Sequence, residues 1–152
     1  MNIEFFTRLT SIVFAATTTF SIPLIYPDLN SLSQCWSTDL QPMFVISNTI
    51  TAYLFFTLPN WRLPSVFLVL LTAFPHDTFL DAHNIFAIGF FAASLYTLWF
   101  VKRLPTYYWL FIISLFIMIF SLVWGEVLAI LVLCAYHFHL LLYKEKLHNR
   151  NL

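Results

Sequence analysis

Two imidazoles, two carboxylates and a carboxamide fall within nine consecutive residues: His76, Asp77, Asp81, His83 and Asn84. Read as a helix, Asp77, Asp81 and Asn84 follow i, i+4, i+7 spacing and share one face, with His76 and His83 on the neighbouring one. Imidazole and carboxylate groups so gathered suit a divalent cation, a proton relay or a cationic headgroup. His76, His83 and Asp77 are the candidate ligands should the ion be a metal such as zinc, and no other cofactor is expected. The same residues also have a plain structural reading. Thr78-x-x-Asp81 has the spacing of a capping box, and Asp81 alone suits the N-cap of a following helix. Glu126, just after "VWG", is either a dipole-compatible acid opening a helix or a further member of the cluster.

Other polar groups are sparser. Asn48, with Ser47 and Thr51, and the run Thr17 to Thr19 with Ser21 interrupt apolar segments, where small polar residues commonly join membrane helices by hydrogen bonds. His137 and His139 stand two apart, so on a helix they point roughly 200° from each other and cannot chelate one ion together. One should face the bundle and the other its surface. A bis-histidine haem needs partners at similar depth, and the outer histidines are too distant from His137 while His148 is in the tail. Cys35 and Cys134 have no metal-ligand spacing, and a bridge between them is not expected.

These residues sit in a chain of 152 residues that is 61% hydrophobic, 20% aromatic and only 9% charged. Soluble domains average about a quarter charged residues, and eighteen Phe exceed what a small aqueous core hides. The class is an integral membrane protein, and long unbroken apolar runs favour helices over a barrel. Zero net charge leaves no basic face for nucleic acid. The first apolar run lacks a positive n-region, because of Glu4, and lacks a small-x-small cleavage site, so it reads as a retained helix.

Proline and charge punctuation divides the chain into one all-α bundle of six spans, at about 5–26, 41–58, 63–79, 82–101, 106–124 and 126–143. The third is doubtful in length. Only about 15 Å of helix fits between Pro64 and Pro75, so it is either kinked at Pro75 or short. Arg8, Arg62, Lys102, Arg103, Lys144, Lys146 and Arg150 all fall on one side of that topology. The positive-inside rule then makes both termini cytoplasmic, and the low Lys and Arg count with Phe-rich, Pro-punctuated spans points to a plasma (bacterial inner) membrane. Asp28, Asp39, Asp77, Asp81 and Glu126 fall on the other side and make it anionic. Trp61, Tyr107, Tyr108 and Trp109 should anchor the inner interface, and Trp36 and Trp124 the outer one.

Around "FPHDTFLDAHNIFAIGFF" the chain resembles small polytopic proteins of the Frag/DRAM/Sfk type, through His76, His83, Asn84, Ala87 and the phenylalanines that follow. The resemblance implies about six spans, a His-bearing outer segment entering an Ala- and Phe-rich helix, and a role in lipid organisation or lipid-anchor remodelling. A second resemblance is to membrane hydrolases that include alkaline ceramidases and progestin-receptor-like proteins, which hold zinc with His and Asp. Their late-helix His-x-x-x-His is replaced here by His137-x-His139.

The leading expectation is a multi-pass protein with an outward polar pocket at His76, Asp77, Asp81, His83, Asn84 and Glu126 that engages lipid headgroups or a membrane partner. Asn48 and His137 are secondary intramembrane polar positions. The alternative is a metal-dependent membrane hydrolase acting on a lipid or amide substrate. These residues leave enzyme against binding protein undecided.

Overall fold

A computed structural model describes residues 3–101 and 104–148. Lys102, Arg103 and Arg150 lie outside the described residues, as do the side chains of Lys146 and His148. The described chain is all-α: α1 (Ile3–Ile25), α2 (Gln41–Phe56), α3 (Arg62–Ala73), α4 (Leu80–Val101), α5 (Pro105–Met118) and α6 (Leu122–His148). Two short 3-10 turns, Leu32–Ser37 and Pro59–Trp61, lie in the α1–α2 and α2–α3 connections. Three segments are long and apolar enough to cross a membrane: Ile3–Ile25, Leu80–Phe100 and Leu122–Lys144. Large apolar side chains such as Phe20, Tyr96, Phe116 and Phe120 point outward, as lipid rather than water would allow.

Local chemistry sets the helix ends. Pro42 and Pro105 stand in the first turns of α2 and α5, where a missing N–H costs nothing. Pro75 decides the third segment. Phe74 before it is extended at φ −111° and ψ 97°, as a pre-proline residue prefers, and α3 stops at Ala73 instead of kinking onward to residue 79. The fifth helix also ends earlier than expected, at Met118. The sixth starts earlier, at Leu122, which places Glu126 in its second turn. Gly125 makes that tight α5–α6 connection feasible. A Cβ there would lie 2.5 and 2.6 Å from the Met118 backbone N and Cα.

Each helix packs against its neighbours in sequence, and α6 returns to pack on α1, so the six form a closed ring. No backbone approach joins α6 to α3 or α4 among the described residues. Successive helices run in opposite senses, so two ends can be distinguished. The Arg8 guanidinium donates to Thr57 Oγ1 at 3.2 Å, Lys144 Nζ reaches Glu4 at 3.3 Å, and Thr97 Oγ1 donates to the Asn60 carbonyl at 3.1 Å. These contacts mark one end, which carries Arg8, Arg62 and Lys144. The α1–α2 and α3–α4 connections and the start of α6 form the other, with Asp28, Asp39, Asp77, Asp81 and Glu126.

The ring is filled by Phe55, Trp61, Phe90, Phe111, Leu133 and Tyr136. Trp61 is therefore not the interfacial anchor its position suggested. It is 2% exposed and packs on Phe55 and Tyr136, with ring centroids 5.1 and 5.4 Å away. Nor do Thr17 and Thr51 join helices as expected. Thr17 and Thr51 bond back to the carbonyls of Val13 and Ser47 in their own helices, the usual habit of mid-helix hydroxyls. Among the hydroxyl side chains, Ser65 donates across to the Ala52 carbonyl at 2.6 Å, and Thr97 to the Asn60 carbonyl.

Candidate functional sites at the two ends of the ring

At the acidic end, the Pro75–Phe79 turn brings His76 against His83, their ring centroids 5.5 Å apart and nearly perpendicular. His83 is 1% exposed, and its Nδ1 lies 2.7 Å from the Phe74 carbonyl. A carbonyl only accepts, so Nδ1 carries the proton and Nε2 of the neutral ring is an acceptor. That Nε2 is buried and without a partner. His76 turns its Nδ1 toward the Asp77 carboxylate at 3.4 Å, a long contact.

The other members of the expected cluster go elsewhere. Asp81 and Asn84 are exposed, on the outside of α4. Asp81 lies in the first turn of α4, where an acid suits the helix dipole, but neither it nor Thr78 caps a backbone N–H. Glu126 does not converge with the histidines, because α6 borders α1 and α5 and not α3 or α4. Its buried carboxylate instead accepts the Leu32 N–H at 2.7 Å and ties the α1–α2 connection to α6. No three His, Cys, Asp or Glu side chains among the described residues gather closely enough to hold a metal ion. Cys35 lies beside this bond, wholly buried with Ile22, Phe44 and Val127. Burial pushes its thiol up from 9.0 to about 11, against a lowering hydrogen bond with Thr38, and the Glu126 charge adds to the rise. Cys35 and Cys134 are both free.

At the basic end, α1, α2 and α6 part to leave a cavity of about 270 Å³. Its walls are mostly hydrocarbon, from Ile12, Ala15, Leu54, Leu140 and Leu141, and among the described residues Arg8 and Lys144 are the charged ones that line it. His137 forms part of the wall. Its ring stacks on Phe55 at 4.4 Å and 23°, meets the edge of Trp61 at 4.6 Å, and leaves Nε2 without a hydrogen-bond partner. His139 is exposed, as the 200° separation requires, and its Nδ1 lies 3.4 Å from the Tyr107 hydroxyl. Farther in, a chamber of about 20 Å³ shares Ala15, Thr51, Phe55 and Cys134 with the larger cavity. Asn48 lines it with Thr19 and Ser47, and the Asn48 amide nitrogen is buried and unpartnered.

From the sequence, Arg8 and Lys144 read only as orientation charges. One signal pointed further: Glu4 and Arg8 stand i, i+4 on α1, and they pair at 3.0 Å. The closure of α6 onto α1, which brings Lys144 to the same carboxylate, is a long-range fact that no local pattern encodes. No protein family, curated protein or solved structure matches the chain.

Proposed function

We propose that this chain is a six-crossing plasma-membrane protein, both termini cytoplasmic, that takes a lipid molecule into the cavity between α1, α2 and α6. The observation that carries the reading is the cavity itself: about 270 Å³ of mostly hydrocarbon-lined space within a membrane helix bundle, edged by two cationic side chains. The cavity is open on one side, and its apolar walls lack the packing partners that a filled groove would have. An apolar occupant supplies them, and lipid is the apolar solute present at high concentration around such a bundle.

The cavity supports lipid engagement better than the acidic end does, since Asp81 and Asn84 face outward and Glu126 is committed to Leu32. The test is to purify the full chain in detergent and measure bound lipid by native mass spectrometry. Wild type should carry about one lipid per chain. Ala15→Phe, which places a ring in the cavity, should carry less than a tenth of that while melting at or above the wild-type temperature. Equal lipid on both proteins would sink the proposal.

A further inference from the structure

We infer that the occupant is a single-chain anionic amphiphile, its headgroup seated between Arg8 and Lys144 in the place now taken by the Glu4 carboxylate; this rests on the lipid-cavity reading above. Size argues for one chain. A volume of about 270 Å³ holds on the order of nine groups the size of a water molecule, whose share of liquid volume is about 30 Å³. A methylene is of similar size. That is about half of an eighteen-carbon chain, so one chain seats its upper half here and its tail runs out through the open side, and two chains do not fit.

Charge argues for an anion. Among the described residues, the charged side chains that line the cavity are both basic and no acid lines it. Glu4 shows what the pair is built to hold. Its Oε1 lies 3.0 Å from the Arg8 guanidinium and 3.3 Å from Lys144 Nζ, so a single carboxylate oxygen engages both. Arg8 is half-buried, and the same Nη2 that meets Glu4 also donates to Thr57 Oγ1, which restrains the guanidinium beside the cavity. Glu4 is half exposed and stands in the first turn of α1, so the two cations it meets are reachable from solvent. An entering carboxylate or phosphate replaces it at Arg8, while the chain lies along Ile12, Ala15, Leu54 and Leu141.

The shared chemistry is an anionic head on one acyl chain, with a free fatty acid and a lysophospholipid phosphate as its two sources. The experiment measures binding to the full chain in detergent for oleate, lysophosphatidic acid, oleyl alcohol and lysophosphatidylcholine. Oleate or lysophosphatidic acid, or both, should bind, and the tighter of them names the source. The alcohol and the zwitterion should bind at least about tenfold more weakly. Arg8→Gln and Lys144→Gln should each weaken the anion about tenfold and leave the alcohol unchanged. Glu4→Gln should tighten it about two- to fivefold, the scale of an exposed ion pair. If alcohol and acid bind equally and Ala15→Phe abolishes both, the headgroup inference fails while the lipid cavity stands. If Ala15→Phe leaves the binding of every probe intact, the cavity reading falls with it.

Discussion

The bond from the Leu32 N–H to Glu126 joins groups 94 residues apart in a buried setting, so its two halves are unequal when broken. Glu126→Ala strands a buried backbone donor and should cost about 1–3 kcal/mol, whereas Glu126→Gln keeps an acceptor oxygen and should cost less. Thermal melting of the three proteins checks the order. Cys35 reports on the same contact. With its pKa raised by burial to about 11, about one thiol in a thousand is ionised at pH 8, and the folded protein should resist alkylation there. Glu126→Ala should loosen the connection and speed that alkylation severalfold. The raised pKa also carries a pH signature. A thiol harder to ionise in the folded chain contributes stability that is full below about pH 9 and lost as pH rises through about 11. The melting temperature should fall across that window in wild type, and fall less in Cys35→Ser.

At the scale of elements, the two glycines mark helix approaches of different stiffness. A Cβ at Gly125 meets the Met118 backbone, which has no freedom to move aside. A Cβ at Gly89 meets the Phe67 ring, the movable end of a half-buried side chain. Gly125→Ala should therefore destabilise by about 1–3 kcal/mol and Gly89→Ala by clearly less, measured by thermal melting in one detergent. The all-α class and the existence of each helix were legible in the sequence, because apolar runs, prolines and charges are local signals. The ends of α3, α5 and α6 were legible only in part. Pro75 offered both a kink and a stop, and nothing local announces that Gly125 folds back on Met118. The site divided along the same line. His76 and His83 were recognisable as neighbours across one turn, and Glu126 was misgrouped with them because its partner depends on which helices border α6. Trp61 misled for a similar reason: a tryptophan at a span boundary looks like an anchor until the ring closes around it.

The whole molecule separates charge by end, and this links the fold to its orientation. Arg8, Arg62 and Lys144 share one end, and Asp28, Asp39, Asp77 and Asp81 the other. The basic end is the one expected to stay in the cytoplasm, since translocating Lys and Arg near short spans is disfavoured. The helices meet that demand unevenly. The twelve residues of α3 rise about 18 Å, against a hydrocarbon core of about 30 Å. If α3 crosses, the bilayer thins beside it or the Pro75–Phe79 turn and the Pro59–Trp61 turn extend its reach. Single cysteines introduced at Ser37, Thr78 and Asn60, all exposed, bracket the question in a chain carrying Cys35→Ser and Cys134→Ala. On intact cells a membrane-impermeant maleimide should label Ser37→Cys and Thr78→Cys directly, and Asn60→Cys only after permeabilisation. Labelling of Thr78→Cys and Asn60→Cys from the same side would mean that α3 does not cross. With α4, α5 and α6 still crossing, Lys144 would then emerge on the side opposite Arg8, at odds with its 3.3 Å contact to Glu4 and with the cavity that both cations edge.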